Sequence, residues 1–476
     1  MRLTVLALAL ATSTAAIAHP QEAHQHAPAK AQEAGHQMMH EARDKALLEA
    51  AFEVDEARLR ADIDRLVAFG TRHTLSSQDD PERGIGAAVS WAMDEMRHDG
   101  LTVERVCDTV TGDRIPTPTR VCNAVAIQRG TERPDDVVII TGHIDSRVTD
   151  PLDFTSDAPG ANDDGSGTVA VIEAARILSK RQFPATIVYA ALSGEEQGLF
   201  GGRILADHAA AEGWNVIANL NNDIIGNSCG SDGHCEPDVV RLFSEGPRRQ
   251  GYDERLGAMQ HRLGGENDAP SRNLSRYLDA LAERLPQLGL DVRQIWRTDR
   301  WGRGGDHIRM LEKGFPAVRF TVAVEDYDHQ HQDLRTEDGT FYGDVAAEMD
   351  FPYLAKVTRL NVAALAALAS APPPPSGVKA SGAVSTDTEV KWNAVPSADH
   401  YQVWMRRTDA ANWEKHGHIA ATACTDGQCS ATLDGIRVDD WIFGVAAVSK
   451  GHHASPVVAA VPGGDFRPIE ESGEDD

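Results

Sequence analysis

The sequence predicts an α/β protein with a mixed, largely parallel sheet flanked by helices, followed by a small all-β sandwich. Three observations predict it. Apolar runs of strand length alternate with stretches of helical periodicity through the body of the chain. A run of four prolines, Pro372 to Pro375, then breaks the pattern. Beyond it only short alternating runs remain.

The elements follow in order. Met1 to Ala18 reads as a secretory signal: Arg2 supplies the positive charge, Leu3 to Leu10 the apolar core, and Ala16-Ile17-Ala18 a small-x-small cleavage site. That core is too short to span a bilayer. No later segment reaches about 18 continuous apolar residues. A soluble protein, secreted or periplasmic and not membrane-spanning, is expected. Residues 19–50 carry His19, His24, His26, His36 and His40 among Ala and Gln and read as a mobile leader or pro-segment. Leu59, Ile63, Leu66 and Val67 then fall at i, i+4, i+7 and i+8, and Gly70 sits where a helix stops. Val137 to Ile140 reads as a buried strand, Gly165 to Ser179 as a helix, Thr186 to Tyr189 and Ala317 to Val322 as further strands. The α/β domain is expected over 51–368 and a proline-rich spacer over 369–377. Glu389-Val390-Lys391-Trp392, Tyr401 to Trp404 and Trp441 to Val445 alternate as sandwich strands within 378–465, and 466–476 reads as an acidic tail.

Composition narrows the function. The chain of 476 residues holds 46 Lys+Arg against 72 Asp+Glu, a formal charge of −26. Such a surface repels phosphates, so nucleic acid is not an expected partner, nor is an anionic membrane. The six cysteines form three local couples: Cys107 with Cys122, Cys229 with Cys235, Cys424 with Cys429. Export makes local disulfides plausible, although spacing does not choose among the pairings. Cys229 and Cys235 could instead hold a metal with His234. No second Cys/His pair sits nearby, which favours the disulfide.

Five segments carry metal-type ligands. Gly142-His143-Ile144-Asp145-Ser146 follows the first strand. Gly160 to Gly167, GANDDGSG, opens the helix. Ser193 to Gly198, SGEEQG, follows the second strand, Asn222 to Gly226 comes next, and Asp328 to Asp333 lies beyond the last strand. Open α/β sheets bind ligands at such strand ends. Zinc takes imidazole nitrogen and carboxylate oxygen and keeps a position open for water at catalytic sites. Two zinc ions bring four positive charges. Three carboxylates and a bridging hydroxide return four, so a buried site closes neutral. A further acid, left unligated, is free to move protons.

The order and spacing of GHIDS, GANDDGSG, SGEEQGL and NNDIIG resemble peptidase family M28, the co-catalytic zinc aminopeptidases, over about 55–368. The resemblance implies two zinc ions per chain. His143 and Asp223 would hold one, Glu196 and a late histidine the other, Asp163 would bridge both, and the Asp163–Asp164 peptide would be cis. Asp145 would orient His143, and Glu195 would be the general base. The substrates implied are peptides with a free N-terminus. The last ligand departs from the family's Tyr…His-Thr pattern: His331, with Thr336 beyond it, fits better, and His329 with Asp333 is the alternative. Gly304-Gly305-Asp306-His307 matches a family feature that supports the site. The C-terminal layout of Trp392, Tyr401 and Leu433…Trp441 resembles a fibronectin type III module, with Trp441 where that family carries a corner Tyr. Rival readings are a zinc carboxypeptidase or dipeptidase, for which Arg297, Arg300 and Arg303 would grip a terminal carboxylate, a one-zinc glutaminyl cyclase, and an exported binding protein with an inactive peptidase core. Trp296 and Trp301 are candidates for a pocket wall, with core packing the commoner role.

Overall fold

A computed structural model describes residues 26–98 and 100–469. The signal segment and the stretch Glu470 to Asp476 lie outside the described residues. The chain runs through α1 (His26–Ala51), α2 (Glu56–Ala68), α3 (Ile85–Glu95), β1 (Leu101–Gly112), β2 (Ile115–Gln128), β3 (Arg133–His143), α4 (Gly165–Leu178), β4 (Ala185–Leu192), α5 (Phe200–Ala211) and β5 (Asn215–Asn222). It continues through β6 (Val239–Ser244), α6 (Glu254–Leu263), α7 (Pro270–Arg284), β7 (Asp291–Ile295), α8 (His307–Glu312), β8 (Ala317–Val322), a small hairpin of β9 (Arg335–Glu337) and β10 (Thr340–Tyr342), and α9 (Phe351–Ser370).

The central sheet has eight strands in the order β1-β2-β4-β3-β5-β8-β6-β7. Its middle, β4-β3-β5-β8, is parallel, while β1, β2 and β6 add antiparallel pairings. Alternate residues of β3 and β4 enter different cores. Val138, Ile140, Ile187 and Tyr189 pack with α2, α4 and α9 on one face. Val137, Ile139, Val188 and Ala190 pack with α5 and α8 on the other. Burial on both faces is why these strands read as unbroken apolar runs. Asp55 caps α2 by accepting the amides of Ala57 and Arg58, and Gly70 follows it at φ +73°. Strand β3 lies between β4 on one side and β5 on the other, so the chain reverses direction across the sheet there and opens a crevice at the strand ends.

The leader expected over 19–50 is helical from His26, and its last turns belong to the core. Leu47, Ala50 and Ala51 are buried against α9. An Ala-rich segment without strong amphipathic contrast hides this role from sequence.

The C-terminal region forms two antiparallel sheets. One is β11 (Lys379–Ser381), β12 (Thr388–Asn393) and β15 (Gln428–Leu433); the other is β14 (Glu414–Ala420), β13 (His400–Arg407), β16 (Trp441–Val448) and β17 (Val458–Ala459). Trp392 and Tyr401 pack edge to face at 5.3 Å in their common core. This sandwich is fastened to the sheet domain. Fully buried Asp268 meets Arg276 of α7 at 3.0 Å through one oxygen and Arg406 of β13 at 2.5 Å through the other. Trp413 donates to Asn273 at 3.1 Å. The proline run expected as a stiff spacer lies against the protein, with Pro372, Pro374 and Pro375 buried. The tail expected from 466 begins inside the fold, since Phe466 is part of the sandwich core. All six cysteines pair locally, as Cys107–Cys122, Cys229–Cys235 and Cys424–Cys429.

Docking of α1 gives a direct test. Leu47 is 3 % exposed and Met39 48 % exposed. Leu47→Ala should destabilise the protein by about 2–4 kcal/mol in denaturant titration, and Met39→Ala by less than about 0.5 kcal/mol. Equal, negligible effects would mean that α1 is not part of the core.

Candidate active site

The crevice is lined by loops that leave the ends of β3, β4, β5 and β8. His143 ends β3. Asp163 and Asp164 precede α4, Glu195 and Glu196 follow β4, Asp223 follows β5, and His331 lies in the long loop after β8. Close approach of backbones makes this possible. A Cβ on Gly142 would stand 2.4 Å from the backbone of Gly167, and one on Gly167 would stand 2.3 Å from the Asp164 carboxylate. These two glycines let the end of β3 and the start of α4 touch.

Asp164 joins the loops. Its Oδ2 accepts the His143 amide at 2.8 Å, and its Oδ1 accepts the amides of Gly167 at 2.9 Å and Ile224 at 3.1 Å. One buried carboxylate therefore fixes β3, α4 and the turn after β5 together. The peptide between Asp163 and Asp164 is cis. Asp145 does the same for the glutamate loop, accepting the amides of Glu195 at 3.2 Å and Glu196 at 3.1 Å. Its carboxylate lies 3.5 Å from His143 Nδ1, while its carbonyl lies at 3.1 Å. Asp344 holds the amides of Asn162 and Asp163 at 2.8 and 2.7 Å. Burial pushes the Asp344 carboxyl up to about 7.

The side chains so placed converge. His143 Nε2 is 3.2 Å from Asp163 Oδ1 and 3.9 Å from Asp223 Oδ1. His331 Nε2 is 2.8 Å from Asp163 Oδ2 and 2.8 Å from Glu196 Oε1. Asp163 thus turns one oxygen to each histidine. Two donor sets result, His143–Glu195–Asp223 and Asp163–Glu196–His331, each with its ligand atoms within 4.8 Å of one another. His329 goes elsewhere: its Nδ1 is 2.6 Å from Asp326. His331 adopts a left-handed backbone, φ +55°, a conformation uncommon for a residue with a side chain.

The donor chemistry fits divalent metal. Four carboxylates and two imidazoles crowd one mostly buried crevice. Glu196 Oε1 is buried without a hydrogen bond, yet sits 2.8 Å from His331 Nε2. Two donor atoms thus aim at one place without bonding each other. Burial pushes the His331 imidazole down, but Glu196 and Asp163 outweigh it and bring it up to about 9. A proton there does what a cation would do. Burial, with Asp223 and Glu196 adding repulsion against the pull of His143, pushes the Glu195 carboxyl well above its ordinary value. An acid raised in this way holds its proton more tightly than an exposed carboxylate does, a trait common among groups that handle protons at active sites.

Several surrounding residues escaped the sequence reading. Arg319, fully buried on β8, reaches Asp223 at 2.7 Å and Asp299 at 3.1 Å. A charge inside an otherwise apolar strand was the available signal. Arg147 lies 3.0 Å from Glu196 and 2.6 Å from His331 Nδ1. Asp306, in the Gly304–His307 segment that the sequence did single out as supporting the site, accepts the Gly202 amide at 2.8 Å, which ties α8 to α5 behind the crevice. Trp296 and Trp301 neither fill the core nor line the crevice. They are 39 % and 83 % exposed, with arginine guanidinium groups over their rings at 4.7 and 4.9 Å. Stacking arginine satisfies an aromatic face at the surface without burying it.

The model of peptidase family M28 matches residues 123–346. A protein of Leptosphaeria maculans named a probable zinc metalloprotease is 43% identical over 423 residues, covering 86% of this chain and 96% of that one. One of Pyricularia oryzae, also named a probable zinc metalloprotease, is 41% identical over 435 residues, covering 88% and 85%. Among solved structures, the LapA aminopeptidase of Legionella pneumophila superposes with a TM-score of 0.49 at 18% identity, over 68% of this chain and 75% of that one. Fold, donor set and sequence kinship together define a zinc metalloprotease, a hydrolase of peptide bonds. The chain belongs to peptidase family M28.

The Asp164 junction is testable by stability. Asp164→Ala strips acceptors from three buried amides, and unsatisfied buried donors cost about 1–3 kcal/mol each. A loss of roughly 3–5 kcal/mol is expected in denaturant titration, together with a fall in bound zinc measured by mass spectrometry. A variant with wild-type stability would remove Asp164 from this role.

Proposed function

We propose that the protein is an exported two-zinc aminopeptidase that removes N-terminal residues from peptides. The observation that carries the reading is that Asp163 turns one oxygen to His143 and the other to His331, with Glu195 among the donors gathered about His143 and Asp223. In this reading His143 and Asp223 hold one zinc, Glu196 and His331 the other, and Asp163 both. Zinc bound there supplies Lewis acidity to peptide hydrolysis. Glu195, half-buried and raised by its surroundings, accepts a proton from the attacking water and delivers it to the departing amine. Asp145 keeps Glu195 and Glu196 in place through their amides and steadies His143. The carboxylate cluster at the floor attracts the substrate's ammonium group, which restricts cutting to the first peptide bond. Arg319 sets the position of Asp223 from behind.

The carboxypeptidase alternative draws no support from the arginines it needs. Arg300 is paired with Asp299 and Glu325, Arg303 with Glu325, and Arg297 lies over Trp301. The three disulfides suit an oxidising compartment and so support export. The three- and four-stranded sheets of the C-terminal region suit a fibronectin type III-like module.

Metal content, a substitution and a pair of substrates test the proposal. Elemental analysis should find two zinc ions per chain, and exhaustive chelation should abolish hydrolysis of leucine anilide until zinc is restored; activity in fully chelated protein would refute metal dependence. Glu195→Gln should keep zinc content and melting temperature while kcat falls by roughly a thousandfold; near-normal turnover would exclude the proton-transfer role. An N-acetylated peptide should resist cleavage where its free-amine counterpart is cut, and the opposite preference would favour a carboxypeptidase.

A further inference from the structure

The crevice opens into a cavity of about 750 Å³. Four arginines line it, and three are committed. Arg147 pairs with Glu196 at 3.0 Å, Arg303 with Glu325 at 2.6 Å, and Arg300 with Asp299 at 3.2 Å. Arg114 differs. Among the described residues its bond is to an uncharged group, the backbone carbonyl of Glu196, at 2.7 Å. Among the described residues no carboxylate pairs with its charge, and its bond is to the backbone of Glu196, a candidate ligand at the floor.

Its mounting is firm. Arg114 sits at the turn between β1 and β2, a long hairpin on the edge of the sheet. The disulfide Cys107–Cys122 joins residues that face each other in register across that hairpin. Below the turn, Val110, Ile115 and Val121 are buried together with Ile204. The hairpin therefore presents Arg114 as a fixed arm over the glutamate loop rather than as a wandering surface charge. Preorganised arginine recognises carboxylate through paired N–H donors.

Depth decides which part of a substrate meets it. Asp163, Glu196 and Asp223 are buried at the floor, whereas Arg114 is exposed at the rim. A substrate with its ammonium group at the floor runs outward past the scissile bond, so its leaving portion passes Arg114. We infer that Arg114 forms a carboxylate subsite on the leaving side, which makes the favoured substrates dipeptides or peptides with an acidic residue after the scissile bond. The inference rests on the aminopeptidase reading of the site. The shared chemistry is one carboxylate near that bond, contributed either by a chain terminus or by a side chain.

Paired substrates separate the sources. Zinc-loaded protein is assayed on Leu-Gly against Leu-Gly-amide, which reads the terminal carboxylate, and on Leu-Glu-amide against Leu-Gln-amide, which reads the side chain. At least one pair should favour the charged member by roughly tenfold in kcat/KM, chiefly through KM. Arg114→Ala should bring that ratio close to one at an unchanged melting temperature, and Arg114→Lys should retain part of it. A wild-type protein that cuts all these substrates without charge preference overturns the subsite alone. So does a preference that survives Arg114→Ala, or one that is erased by Asp113→Asn instead. Failure to cut any of them overturns the aminopeptidase reading, and the subsite with it.

Discussion

The site depends on one buried carboxylate, that of Asp164. His143 and Ile224, distant in sequence, and Gly167, at the start of the helix that Asp164 caps, each donate a backbone amide to it. A backbone donor sealed from water must find an acceptor or carry a penalty. Asp164 meets that need for β3, the start of α4 and the turn after β5 at once. Of the candidate ligands, His143 is one of these partners, Asp163 is the sequence neighbour of Asp164, and Asp223 stands one residue from Ile224, so their spacing is inherited from this junction. Asp145 repeats the device for Glu195 and Glu196. Both junctions use short acidic side chains to fasten main chain, which leaves the neighbouring side chains free for metal and proton chemistry.

The sheet supplies what the junctions cannot. Parallel strands buried on both faces are stiff and end together, and the change of direction at β3 opens room between loops. The site's charge then sets its own requirement. Several carboxylates in a mostly buried crevice repel one another unless cations intervene. His331 drawn up to about 9 shows how strongly the crevice favours positive charge. Stability and function meet here: the fold brings together groups that only a cation reconciles.

Much of this was legible in the sequence because it is local. The strand-end motifs carry their ligands and their glycines in the same few residues, and the long buried strands announce themselves as apolar runs. The choice between His329 and His331 was less so, since both lie in one loop and only the turn at φ +55° aims the second inward. The β1–β2 hairpin left little trace: on an edge strand such as β1 few side chains are buried, so no clear period marks it. Arg319, Arg147 and Asp344 reach the site across the fold, and a contact between residues so far apart in the chain has no signature in spacing. The leader helix escaped notice because small alanines pack closely on α9 without a broad apolar stripe. Trp296 and Trp301 misled because aromatic residues are usually buried, and here arginines cover them instead.

The attachment of the sandwich has a consequence for processing. Asp268 lies wholly out of water, and one of its two guanidinium partners, Arg406, belongs to the other module. A cut among the prolines that carried the C-terminal piece away would take Arg406 from that acid, open it to solvent, and strip Trp413 from Arg276 and Asn273 of α7. What looks in the primary structure like a detachable accessory is therefore fastened to the sheet domain by buried polar contacts, and its removal would uncover them.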